Sequence, residues 1–181
     1  MFGDSLSAAH GLSTQQGWVA LLRRRLQAQG YGYRIVNASV SGETTSGGLV
    51  RLPRALELHK PQILILELGA NDGLRGLPVA PIRERLARMI RIAERTGAEV
   101  LLLGIRLPPN YGPRYGEPFA AVYRELAHEY HLALVPFLLA DVALHPSLMQ
   151  SDGLHPNARG EPLVLETVWP RLLPLLERRS H

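Results

Sequence analysis

Cysteine is absent from this 181-residue chain. That excludes disulfides, thiolate-ligated zinc and a cysteine nucleophile. It leaves the compartment open. No apolar run approaches the ~20 residues of a membrane-spanning helix. No leader is legible either, because Phe2 and Gly3 follow Met1 without a basic stretch or an apolar core. Aromatic residues are sparse, at 6%. They do not interleave with the arginines, so the net charge of +4 is not a nucleic-acid stripe. Its densest cluster, Arg23, Arg24 and Arg25, reads as a solvated helix face. Repeats, low-complexity tracts, linkers and hairpin turns are also lacking.

What is present is an ordinary globular composition, 46% hydrophobic and 20% charged. The length suits one domain over residues 1–181 with a full core. Apolar spacing predicts helices over residues 17–29, 49–59, 82–96, 119–131 and 157–177. Gly30 and Gly97 stand where helix C-termini want glycine. Pro53 falls inside the second helix and Pro162, Pro170 and Pro174 inside the last. Strands are predicted at 34–38, 62–68, 99–105 and 132–135. The continuous apolar runs at 62–68 and 99–105 ask for burial on both faces. Strands that alternate with helices make an α/β fold, with a parallel sheet and helices on both faces.

Four polar loops fall on one edge of the sheet, where open α/β sheets bind ligands; all but the first follow a predicted strand. They carry Ser5, Gly42, Asn71 and the Asp152–His155 pair. A serine hydroxyl needs a base to become a nucleophile. His155 is the candidate base, and Asp152, three residues before it, can orient the imidazole and stabilise the imidazolium. Acyl transfer also needs donors aimed at a developing oxyanion. The backbone N–H groups of Ser5 and Gly42 and the side-chain amide of Asn71 can supply them. His10 is near enough in sequence to touch Ser5. His128 and His131, beside Glu125 and Glu129, read as a solvated helix end, so no metal site is expected.

These blocks resemble the GDSL, or SGNH, hydrolase family. Its four name-giving residues map onto Ser5 in GDSLS, Gly42 in NASVSGETTSGG, Asn71 in LELGANDGLRG and His155 in SDGLHPN. RLPRAL, ELGANDGLRGLP, IRLPPNYGPRYGEPF and MQSDGLHPN resemble the bacterial multifunctional arylesterase/thioesterase I/lysophospholipase subgroup. The resemblance implies a flavodoxin-like three-layer α/β/α sandwich with about five parallel strands. It implies a serine hydrolase cleaving aryl esters, lysophospholipids and acyl thioesters through Ser5, Asp152 and His155. No metal or organic cofactor is implied. Segments 74–78 and 108–117 would border an acyl groove, with Leu74, Leu77, Leu107, Pro108 and Tyr111 as substrate-binding residues. The expected partner is a small ester, thioester or lysolipid, with no nucleic acid, at most transient membrane contact and a monomeric chain. Export to the periplasm is also implied.

Two other functions fit the same residues: a non-catalytic acyl-lipid or carbohydrate binding module, and a carbohydrate O-deacetylase. Relatives carry an apolar strand before GDS, where this chain has only Met1 and Phe2. A defective central strand would strand backbone groups at about 1–3 kcal/mol each. Further residues encoded upstream of Met1 are therefore expected.

Overall fold

A computed structural model describes residues 1–178. Four parallel strands form one sheet in chain order: β1 (Phe2–Gly3), β2 (Ile63–Glu67), β3 (Glu99–Leu103) and β4 (Ala133–Val135). The register pairs Phe2 with Leu66, Ile63 with Glu99 and Leu101 with Ala133. Six helices surround it: α1 (Trp18–Ala28), α2 (Thr45–His59), α3 (Ala70–Leu74), α4 (Val79–Arg95), α5 (Pro113–Glu129) and α6 (Glu161–Arg178).

The layers follow from strand alternation. Leu64, Leu66, Val100 and Leu102 face α2, α4 and α5, where Leu52, Leu86, Ile90, Phe119 and Leu126 are buried. Ile65, Leu101, Leu103 and Val135 point the other way, onto Trp18, Leu22, Val168 and Leu172 of α1 and α6. Each such leucine withdrawn from water contributes roughly 1.5–3 kcal/mol. Among the described residues no helix is long and apolar enough to cross a membrane.

The strand expected at 34–38 does not form a regular strand. The segment nonetheless runs beside β1: Met1 N donates to Val36 O (2.8 Å), Ala38 N to Met1 O (2.9 Å) and Val40 N to Gly3 O (3.0 Å). Its neighbour β1 is only two residues long. The Ala38 carbonyl instead accepts from both terminal nitrogens of the Arg51 guanidinium, each at 3.3 Å. Among the described residues the sheet therefore has four strands and one bonded extended segment, where about five strands were expected.

Helix bounds also differ from the sequence pattern. Thr44 caps α2, its hydroxyl accepting from Gly47 N, so the helix begins four residues before Leu49. Gly48 allows this, because a Cβ there would lie 2.4 Å from the Leu68 side chain. Residues 69–81, outside every expected helix and strand, hold α3 and the start of α4. Pro170 and Pro174 lie inside a continuous α6. Gly30 and Gly97 do end α1 and α4 with positive φ, +77° and +80°.

Candidate active site

Ser5 sits in the turn that leaves β1. Asp4 O accepts from Ser7 N (3.3 Å) and Ala8 N (3.0 Å), which curls the chain at once. The Asp4 side chain tightens the curl by accepting from Leu6 N at 3.0 Å. On the far side, Asp152 Oδ1 accepts from the N–H groups of Leu154 (2.9 Å) and His155 (3.1 Å). This Asx turn sets the imidazole above the serine. His155 Nε2 lies 2.8 Å from Ser5 Oγ, and His155 Nδ1 lies 2.7 Å from Asp152 Oδ2.

Gln150 fastens the two sides together. Its Nε2 donates to His10 O (2.7 Å) and to Pro156 O (2.9 Å). Gly11, with φ +73°, leaves it room, since a Cβ there would lie 2.2 Å from Gln150 Oε1. The His10 ring packs on His155, centroids 4.5 Å apart.

The expected oxyanion donors are linked through Asn71, which stands on α3. Its Nδ2 donates to Glu43 O (2.9 Å), the residue after Gly42, and to Asp4 Oδ2 (3.3 Å), the residue before Ser5. Gly42 has φ +80° and open space where a Cβ would be, so the glycine answers a backbone demand rather than a spatial one. The N–H groups of Ser5 and Gly42 make no hydrogen bond among the described residues.

Burial pushes the Asp152 carboxyl up, but the Leu154 N–H, the His155 ring, the His155 N–H and the imidazolium charge outweigh it and bring it down to about 2. Asp152 is thus an anion at any working pH. With Oδ2 on Nδ1–H, Nε2 is left as the acceptor facing Ser5.

A cavity of about 200 Å³ opens on Ser5, Asn71 and His155, with Leu74, Leu107 and Pro108 among its apolar walls. Two expected substrate contacts do not line it. Leu77 packs against the core instead. The Tyr111 hydroxyl donates to Leu74 O at 2.7 Å and so ties segment 108–117 to the end of α3. A groove of about 910 Å³ adjoins, sharing Leu107, Pro108, Phe137 and Leu154 with the first.

Three buried acids escaped the sequence pattern. Asp72 accepts from Thr45 N (2.8 Å) and Thr45 Oγ1 (2.6 Å), docking α2 on α3. Glu161 accepts from Trp18 N at 2.6 Å and supplies the cap that Gly17 lacks. Glu67 ends β2 beneath Ser5 and is fully buried. The signal for Glu67 was present: one charge inside the apolar run QILILEL.

A Ser–His–Asp series at the carboxyl edge of a parallel sheet is the constellation of serine hydrolases. The profile of the GDSL-like Lipase/Acylhydrolase family matches residues 1–162, and the chain belongs to that family. It is similar to Esterase TesA of Pseudomonas aeruginosa, 56% identical over 96% of this chain and 87% of that protein. It is also similar to Thioesterase 1/protease 1/lysophospholipase L1 of Escherichia coli, 42% identical over 99% of this chain and 85% of that protein. The crystal structure of TesA matches with a TM-score of 0.94 at 55% identity, covering 96% of this chain and 97% of that one. The psychrotrophic esterase EstA from Pseudoalteromonas sp., solved inhibited by monoethylphosphonate, matches with a TM-score of 0.92 at 39% identity, covering 97% and 96%.

Proposed function

We propose that this chain hydrolyses carboxylic esters and acyl thioesters, aryl esters and lysophospholipids among them, through an acyl-enzyme on Ser5. The observation that carries the proposal is the hydrogen-bonded series Ser5 Oγ–His155 Nε2–His155 Nδ1–Asp152 Oδ2, at 2.8 and 2.7 Å. As Ser5 Oγ attacks the carbonyl carbon, its proton passes to His155 Nε2, and Asp152 stabilises the imidazolium. The carbonyl oxygen becomes an oxyanion served by the Ser5 and Gly42 N–H groups and the Asn71 amide. The tetrahedral intermediate collapses, His155 returns the proton to the departing alcohol or thiol, and a serine ester remains. Water then repeats the sequence and frees the acid.

The 200 Å³ cavity suits a short acyl chain, and longer chains continue past Leu107 and Leu154 into the adjoining groove. The chain works as a monomer on small substrates. Its kinship with the bacterial arylesterase/thioesterase subgroup supports a periplasmic location, which cell fractionation checks.

A fluorophosphonate probe with mass mapping tests the nucleophile. Label on Ser5, lost in Ser5→Ala together with at least about 10⁴-fold of kcat on p-nitrophenyl butyrate, is the expected result. Tight acyl-ligand binding without label on Ser5 would mark a binding module instead.

A further inference from the structure

Glu67 takes no part in the transfer of the acyl group, yet it lies directly under the nucleophile. It is paired in register with Gly3. Its Oε2 accepts from Asp4 N (3.2 Å) and from the Ser7 hydroxyl (2.9 Å). Asp4, equally buried, accepts from Leu6 N on Oδ1 (3.0 Å) and from Asn71 Nδ2 on Oδ2 (3.3 Å). Because Glu67 Oε2 holds the backbone N–H of Asp4, the two carboxyls are neighbours in one buried chamber, and the charge of Asp4 bears on Glu67. Glu67 Oε1 is buried with no partner that a deprotonated acid would need. Among the described residues, no arginine, lysine or histidine forms an ion pair with either acid.

Two neighbouring buried carboxylates without a cation resist being ionised together. One proton stays, and Glu67 is its holder. Burial pushes Glu67 well above the usual carboxylate range and the Asp4 charge pushes it further, against the donors Ser7 and Asp4 N. Asp4 is raised by burial only to about 6, because Leu6 N–H, the Glu67 hydrogen bond and His155 pull it back.

We propose that Glu67 is a positioning residue for Ser5: a neutral acid that shares one proton with Asp4 and holds the nucleophile's turn and the Asn71 amide in register. This rests on Ser5 being the nucleophile. A neutral carboxyl can donate to Asp4 while accepting from Asp4 N and the Ser7 hydroxyl. A carboxylate cannot donate, and an apolar side chain can do neither. Because Asp4 also receives the Asn71 amide, a shift of this pair moves the serine turn and an oxyanion donor together.

The charges around the pair are few. Asp72 faces it from α3, itself bonded to Thr45 and 3.8 Å from Arg85. Tyr123 faces it from α5, its hydroxyl on Leu68 O at 2.9 Å. His155 faces Asp4 from the loop before α6. Asp72 disfavours a second negative charge, and only a protonated His155 would favour one. Ionising Glu67 at alkaline pH therefore loosens the turn, lowering kcat with little change in KM.

The test compares wild type, Glu67→Gln and Glu67→Ala on p-nitrophenyl butyrate from pH 6 to 10, with fluorophosphonate labelling of each. Wild-type Ser5 must label; failure there overturns the acyl-transfer reading and this proposal with it. With labelling established, Glu67→Gln retains at least about a third of kcat and loses the alkaline decline of the wild type, as an uncharged donor–acceptor should. Glu67→Ala loses about 30- to 100-fold in kcat at constant KM, the scale of a misplaced reacting group. If Glu67→Gln is as impaired as Glu67→Ala, or shares the wild-type alkaline limb, the proposal is wrong. Should Glu67→Ala fail to fold by circular dichroism, the wild-type and Glu67→Gln profiles decide alone.

Discussion

Two acids approach the same serine–histidine pair, and their surroundings treat them in opposite ways. Asp152 is partly open to water, with 38% of its side chain exposed, yet it is held down to about 2. Asp4 is sealed under the serine and raised to about 6. Burial pushes both upward, and only at Asp152 do the neighbours outweigh it. The difference lies in neighbours. Asp152 accepts two backbone N–H groups and faces an imidazole. Asp4 has donors too, the Leu6 N–H and the Glu67 hydrogen bond among them, but they do not outweigh its burial and the charge of Asp72. Donors and a cation keep an acid ionised, while a second acid in the dark makes one of the two hold a proton.

The sharpest break in this contrast is Asp152→Asn. It keeps the shape and the turn but turns an anion into a neutral amide, so the imidazolium loses its counter-charge and Nδ1 its fixed tautomer. A fall in kcat of about 10²–10⁴ is expected on p-nitrophenyl butyrate, with KM within a few-fold. The wild-type carboxylate remains ionised until about pH 2, so an acid limb of activity at higher pH belongs to another group. Asn71→Ala comes next. It removes the proposed oxyanion donor and also one of the donors to Asp4, and a loss of about 10²–10³ in kcat is expected. Stopped-flow acylation rates place that loss in the chemical step.

The smallest effect tests whether the rule for buried acids extends beyond the site. Burial raises Glu161 to about 7, against the Trp18 N–H. The folded chain therefore holds a proton that the unfolded chain releases above its ordinary value of 4.5. The associated stability is complete below the unfolded value and is lost as pH rises through about 7. Glu161→Gln keeps the acceptor for Trp18 N and removes the titration. Between pH 5 and 8 the wild-type Tm should fall by a few degrees more than that of Glu161→Gln in calorimetry, reflecting at most about 3 kcal/mol.

The residues of the candidate site were legible in the sequence because they stand in short polar blocks, GDSLS, GANDG and SDGLHPN, that resemble those of a known family. Ser5, Asn71, Asp152 and His155 needed no knowledge of contacts. Glu67 and Glu161 did. Their partners lie far away in sequence, 60 residues to Ser7 and 143 to Trp18, so nothing local marks them except a charge among apolar neighbours. The short helix α3 was hidden by Asn71, Asp72 and Gly73, which favour turns when judged alone. Leu77 and Tyr111 were named from their segments, 74–78 and 108–117. A loop's position on the rim does not say which way each side chain turns, and only Leu74, Leu107 and Pro108 turn toward Ser5 and His155.

The Gln150 bridge has a consequence for which substitutions this site tolerates. Gln150 grips the carbonyls of residues 10 and 156, never their side chains. The clasp between the serine side and the histidine side is therefore indifferent to what residue 10 carries: exchanging His10 removes a ring from the face of His155 and leaves the clasp whole. The strict demand falls on a residue with no chemistry of its own. Gly11 has a positive φ, and any side chain there would collide with the Gln150 amide. In a mutational scan of this stretch, the intolerant position should be the glycine and the permissive one the histidine beside it.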